Sequence, residues 1–201
     1  MFRVCTNYFS LAFIFGLGAC ASTSGVPHSG FFPEEFDQSV WISMKRYNEP
    51  KLHSEKERDR YEARHRFSIS GVACREFVIR LDVFKSGGGR GKIKTRDRCK
   101  DRFSIDEKRF VVNSKEVEQL QTLIADAGLY EFYPEVWEYS NNDNEDTICI
   151  DGMQILLERR DDTGYGVSMA NAQCTAPSEV IAIAQKFIDM AGDKRANRLL
   201  Q

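Results

Sequence analysis

The chain contains no apolar run long enough to cross a bilayer. Its greasiest stretch, from Val4 to Ala19, is interrupted by Thr6, Asn7 and Ser10, whereas a spanning helix needs about 20 consecutive apolar residues. It also lacks an excess of positive charge. Its 28 Lys and Arg stand against 30 Asp and Glu, and this balance argues against a nucleic-acid partner, which asks for a strongly basic face. Histidine is scarce: His28, His53 and His65 are scattered along the sequence. The cysteines show no CxxC-type spacing of the kind a zinc site uses. There is no Gly-x-Ser-x-Gly elbow and no metalloprotease helix motif. The expectation from these absences is a protein with no metal, no cofactor and no catalytic residues, hence not an enzyme.

What the sequence does have begins at the N-terminus. Arg3 supplies a positive start, Tyr8 to Leu17 an apolar stretch, and Leu17-Gly18-Ala19-Cys20 a small-residue boundary before cysteine. This segment resembles the lipobox of bacterial lipoproteins, with Leu17, Ala19 and Cys20 matching and Gly18 the less usual occupant. The resemblance covers about the first 20 residues. It implies cleavage before Cys20 and palmitate-type acylation of Cys20, whose two or three chains hold a membrane durably where one would not. Ala21, in place of Asp, implies sorting to the outer membrane, facing the periplasm. Loss of residues 1–19 removes Arg3 and no acid, leaving the remainder slightly more acidic.

Four cysteines then remain: Cys74, Cys99, Cys149 and Cys174. An even number in an oxidising compartment reads as two disulfides. Cys74 to Cys99 and Cys149 to Cys174 are both separated by 25 positions. The first pair is centred on Ser86–Gly87 and the second on Asp161–Asp162, both with turn chemistry and alternating flanks. Cysteines equidistant from a hairpin turn face each other across strands. The spacing therefore favours Cys74–Cys99 and Cys149–Cys174 over crossed bridges. A loop of about 26 residues is worth roughly 3.5 kcal/mol by closure entropy.

Ala21 to Gly30 is small, polar and breaker-rich, as a tether would be. Phe31 to Pro50 carries Phe31, Phe32, Phe36 and Trp41 with no clear period, and Lys51 to Arg60 is a dense charge run. The organisation expected is a signal over 1–19, an acylated tether over 20–50, a domain over 51–192 and a frayed tail over 193–201. Within the domain, Tyr61, Ala63, His65, Phe67 and Ile69 alternate with polar residues, as do Phe77, Ile79, Leu81 and Val83. Gly91 to Arg98 reads as a polar return strand and Arg109 to Val112 as a short fourth. Asn113 and Glu116 form a capping box before the stripe Val117, Leu120, Leu123, Ile124 and Ala127. Strands follow over Thr147 to Glu158 and Tyr165 to Ala172. A last helix opens at Thr175 and Pro177 and closes at Gly192. The fold expected is α+β: an antiparallel sheet of hairpins covered on one face by two helices, with two disulfides.

A second likeness lies in Cys149-Ile150-Asp151-Gly152, Leu156-Leu157-Glu158 and Gly164-Tyr165. Together with Ala127-Gly128-Leu129 this resembles a group of small proteobacterial proteins of unassigned function with a CxDG…LE…GxY motif, over about residues 60–192. The resemblance implies a fold and transfers no activity.

Individual features then divide. Gly87-Gly88-Gly89-Arg90-Gly91-Lys92 is superficially like a phosphate loop, but Ser86 stands where glycine is required and Ile93 where Ser or Thr is, so it reads as a hairpin tip. Asn141 to Asp146 offers oxygen ligands without the spacing or turn glycine of a calcium hand. Asp151 and Glu158 are seven positions apart in a strand, hence on opposite faces, and each is expected to cap a turn or bond Arg159 or Arg160. The stretch Tyr130, Phe132, Tyr133 and Trp137, beside the acidic Asp143 and Glu145, is the candidate interaction surface, because aromatic-rich loops anchor interfaces; ordinary core packing is the competing account. The function expected is a membrane-anchored, non-catalytic binding module of the cell envelope with an envelope protein as partner. The alternatives are an inhibitor of a hydrolase such as lysozyme and, third, an envelope enzyme.

Overall fold

The computed structural model of the chain describes residues 44–52, 61–71, 74–99, 104–129, 152–172, 176–193 and 196. Alternating side chains, with apolar runs at Phe77–Ile79 and Ile155–Leu157, build a single antiparallel sheet from them. Its strands are β1 (Ala63–Ser70), β2 (Arg75–Val83), β3 (Gly89–Asp97), β4 (Ile105–Val112), β5 (Gln154–Asp161) and β6 (Gly164–Asn171). Helix α1 (Ser114–Asp126) follows β4, and α2 (Ser178–Ala191) follows β6. The spatial order is β4-β3-β2-β1-β5-β6, all neighbours antiparallel. The first four strands thus form a meander, and the β5–β6 hairpin returns to the open side of β1.

One face carries Phe67, Ile69, Phe77, Ile79, Leu81, Ile93, Ile155 and Leu157, which pack with both helices into the main core. Asn113 caps α1 as the sequence foretells: its side chain accepts from the Glu116 amide at 3.0 Å and the Glu116 carboxylate accepts from the Asn113 amide at 2.9 Å. Val117, Leu120 and Ile124 are the buried stripe of α1. Helix α2 starts after Pro177 and ends at Gly192, which takes the left-handed conformation (φ 60°) that glycine adopts without strain. Lys108 of β4 donates to the Ala191 and Gly192 carbonyls at that end, where the helix dipole favours a cation. No helix among the described residues is long and apolar enough to cross a membrane.

The α+β, mostly-sheet architecture agrees with the sequence reading, and so does one of the two bridges. Cys74 and Cys99 are disulfide-bonded at the mouth of the β2–β3 hairpin, one residue before Arg75 and two after Asp97, which form its closing pair. Cys149 and Cys174 lie outside the described residues. Several boundaries differ from expectation: β3 begins at Gly89 rather than Gly91 and β5 at Gln154 rather than Thr147. Strand β4 begins at Ile105 rather than Arg109, and β5 ends at Asp161 rather than Glu158.

The second face is of a different kind. Val78, Leu156, Val167 and Met169 form a small apolar patch under Met44 and Tyr47, and the remaining positions are almost all charged. Residues 44–50, the last of the aperiodic stretch, lie across this face as a strap. A helical turn ends at Arg46, and the chain turns with the Asn48 amide donating to the Lys45 carbonyl and the Glu49 amide to the Met44 carbonyl, both at 3.0 Å.

Candidate functional site

Alternation puts Arg64 and Arg66 of β1, Glu76, Arg80 and Asp82 of β2, Arg90, Lys92, Lys94 and Arg96 of β3, and Glu107 and Arg109 of β4 on the strapped face. The antiparallel register arranges them in rows. Arg66 pairs with Arg80, Arg80 with Lys92, and Lys92 with Arg109, so four cations stand side by side across four strands. Strand spacing of about 4.8 Å makes directly opposed like charges unfavourable, so such a row survives only with carboxylates set between its members.

Those carboxylates come from three directions. Glu158 of β5 takes Arg66 in a two-pronged ion pair at 2.5 and 2.6 Å and also accepts from the Tyr165 hydroxyl at 2.7 Å. Both members of the pair are 2 % exposed. Burial alone would favour the neutral form of Arg66, but the Glu158 charge and its hydrogen bonds outweigh it and hold the guanidinium protonated. Glu49 reaches in from the strap and bonds Arg80 at 2.8 Å and Lys94 at 2.7 Å. Asp82 lies next to Arg64 at 2.5 Å and Arg80 at 3.4 Å. The strap is fixed further by Arg66 donating to the Pro50 carbonyl and Lys94 to the Tyr47 carbonyl, both at 2.7 Å. The Tyr47 hydroxyl donates to Glu76 at 3.3 Å, and its pKa is raised by burial first and then by the Glu76 charge.

Beyond the strap, over β1 to β4, this face opens into a cleft of about 560 Å³, within the range of small-ligand sites. Arg64, Arg80, Arg90, Lys92 and Arg109 line it, with Asp82 as the lone carboxylate among the lining residues. Pro50 and Tyr61 form one wall and Val111 the other rim. Arg90 donates to the Tyr61 hydroxyl at 2.7 Å, and the Arg64 guanidinium lies 4.5 Å from the centre of the Tyr61 ring, a cation–π contact. Val111 is 84 % exposed, unusual for an aliphatic side chain. Gly91 contributes backbone to the cleft, and a Cβ there, directed to the helix-covered face, would run into the Phe110 ring.

A second, smaller cavity of about 200 Å³ lies on the helical side, between β1, β5 and α1. His65 faces it, 2 % exposed, and neither ring nitrogen has a hydrogen-bond partner. Burial, and secondarily the Arg159 charge, lowers its pKa to about 4 against the opposing pull of Asp161. Among the described residues, no group of three or more His, Cys, Asp or Glu converges as a metal site would.

The residues singled out from sequence fare unevenly. Glu158 bonds Arg66 and Tyr165 rather than Arg159 or Arg160: Arg159 points to the opposite face, and on the shared face Arg66 is its direct cross-strand partner while Arg160 stands opposite Arg64. Arg159 turns instead to Asp161, at 3.0 Å. Gly87 and Gly88 do form the hairpin tip, with φ 76° and 67°, yet Arg90 and Lys92 beyond them become cleft residues. Cys20, Asp151, Tyr130, Phe132, Tyr133, Trp137, Asp143 and Glu145 all lie outside the described residues. Sequence reasoning misses the cleft itself. Its signal is the run of alternate cations Arg90, Lys92, Lys94 and Arg96 on one face of one strand. Comparison with protein-family models, with curated proteins and with solved structures finds no match.

Proposed function

We propose that the chain is an envelope lipoprotein, anchored in the outer membrane through Cys20 and facing the periplasm, whose domain binds another molecule without transforming it. The cleft on the strapped face is its binding surface. The observation that carries this reading is the preorganised array of cations drawn from four strands and held in place by mutual ion pairs. Rigid elements that position a recognition surface lower the ordering penalty on binding.

Two measurements test it. Cys20→Ser is expected to move the protein from the membrane pellet to the soluble fraction, and retention in the pellet would refute the anchor. Native mass spectrometry of the full chain, incubated with fractionated envelope extract, is expected to show an adduct that is lost in the Arg90→Ala/Arg109→Ala double variant. The adduct should be released with its mass unchanged. An altered mass would make the protein an enzyme, and the lack of any adduct would remove the binding role.

A further inference from the structure

Resting on that reading, we infer that the cleft takes a small dianion, with phosphate or carboxylate groups held between Arg90, Lys92 and Arg109. The positive charge of this face is not compensated evenly. At the strap end Arg66 has Glu158 to itself, and Arg80 and Lys94 share the buried Glu49. At the β3–β4 end Lys92 and Arg109 share one half-exposed carboxylate, Glu107, at 3.3 and 3.1 Å. Arg90 reaches Asp82 only at 3.9 Å, and that carboxylate is already engaged by Arg64 and Arg80. Three cations that face solvent thus have little more than one acid between them.

Their placement suits a ligand with two anionic ends. Lys92 and Arg109 are direct cross-strand partners, about 4.8 Å apart along the hydrogen-bonding direction, and Arg90 lies two residues, about 6.8 Å, along β3. Arg90 and Arg109 present planar forks that match carboxylate and phosphate oxygens two at a time, and Lys92 adds a point charge. Their side chains are 61 % and 77 % exposed, so both can turn to an incoming anion without exposing core. The chain already provides a precedent one position along the sheet. Glu49, carried in from outside the sheet, seats its carboxylate between Arg80 and Lys94. The outer end of the same face offers a similar seat with no carboxylate from the strap to fill it. The cleft's limited volume of about 560 Å³, in a chain of net charge −2, favours a small ligand over a nucleic acid.

The test is calorimetric titration of the purified full chain with pyrophosphate and, separately, succinate, which distinguish phosphate from carboxylate. At least one is expected to bind saturably with one site per chain. Arg90→Ala and Arg109→Ala should each weaken it about tenfold or more, as for a hydrogen bond to a charged group. Lys115→Ala, on the exposed side of α1, should change it less than about twofold, as for a surface site away from the contact. Flotation with phosphatidylglycerol vesicles separates a lipid headgroup from a free anion, and vesicle binding that pyrophosphate competes away supports the same site. Vesicle binding indifferent to pyrophosphate, preference for a single-stranded oligonucleotide, equal loss in Lys115→Ala, or no saturable heat with either anion would overturn the assignment. If both anions fail while the envelope adduct persists and still needs Arg90 and Arg109, the binding role stands and only the ligand class is wrong.

Discussion

At the scale of single residues, the two faces of β1 place ionisable groups in opposite predicaments. Arg66 is buried with a two-pronged carboxylate, whereas His65, its neighbour, is buried with nothing. The groups facing His65 are Arg159 and Asp161 from β5; β2 presents Leu81 opposite it, and α1 presents Gln121, Ile124 and Ala125. With a folded-state pKa of about 4 against an ordinary 6.5, the unfolded chain binds more protons between those values. Folding stability contributed by the neutral ring is therefore complete above about pH 6.5 and lost as pH falls toward 4, by about 3 kcal/mol in all. His65→Leu should flatten that part of the stability–pH curve measured by urea unfolding, and an unchanged slope would show that His65 does not titrate in the folded state as described. The alternation of Ala63 to Ser70 told which side chains share a face. It could not tell that Arg64 and Arg66 are buried, because Arg66 is met by Pro50 of the strap, a segment without periodicity, and Arg64 by Asp82 and the Tyr61 ring.

At the scale of elements, the hairpin β2–β3 was the most legible part of the chain. Turn glycines and alternating flanks specify the hairpin and the two cysteines its closure, and the Cys74–Cys99 bridge closes it. The register is offset by one from the one equidistant cysteines would set, with Arg75 opposite Asp97 and Arg98 next to Cys74. Replacing both cysteines by alanine should lower unfolding free energy by roughly 3.5 kcal/mol with little change in ligand binding, because the bridge acts mainly on the unfolded chain. Denaturation with and without reductant measures this, and matching midpoints would assign the bridge no stabilising role. Helix α1 was equally legible, since a capping box and an apolar stripe are local signals. The first half of β4 was not. Ile105 to Arg109 carries Asp106, Glu107, Lys108 and Arg109 in succession, which reads as coil, but edge strands tolerate and even use such charges.

At the scale of the whole molecule, net charge concealed what topology assembles. Nearly balanced acids and bases gave no hint of an anion site, yet pairing four strands in register gathers five cations around one cleft while acids are spent elsewhere. The strap determines how far that cation array is neutralised, and Glu49, 1 % exposed and bonded to both Arg80 and Lys94, is the residue on which it depends. Glu49→Gln would take from Arg80 and Lys94 their nearest carboxylate, leaving Arg80 with Asp82 at 3.4 Å and Lys94 with Glu107 only at 3.9 Å. Breaking a fully buried ion pair from one side costs about 3–5 kcal/mol, an upper bound for this partly compensated cluster. The variant can lower that cost by releasing residues 44–52 and letting water reach Arg80 and Lys94. Trypsin should then cut after the exposed Lys45 and Arg46 much faster than in the parent chain, while the helix-covered face, which the strap does not touch, keeps its protection against hydrogen exchange. Uniform loss of protection on both faces would mean that the strap is part of one cooperative core. Unchanged cleavage would mean that Met44 and Tyr47 hold the strap through the apolar patch and that Glu49 is dispensable.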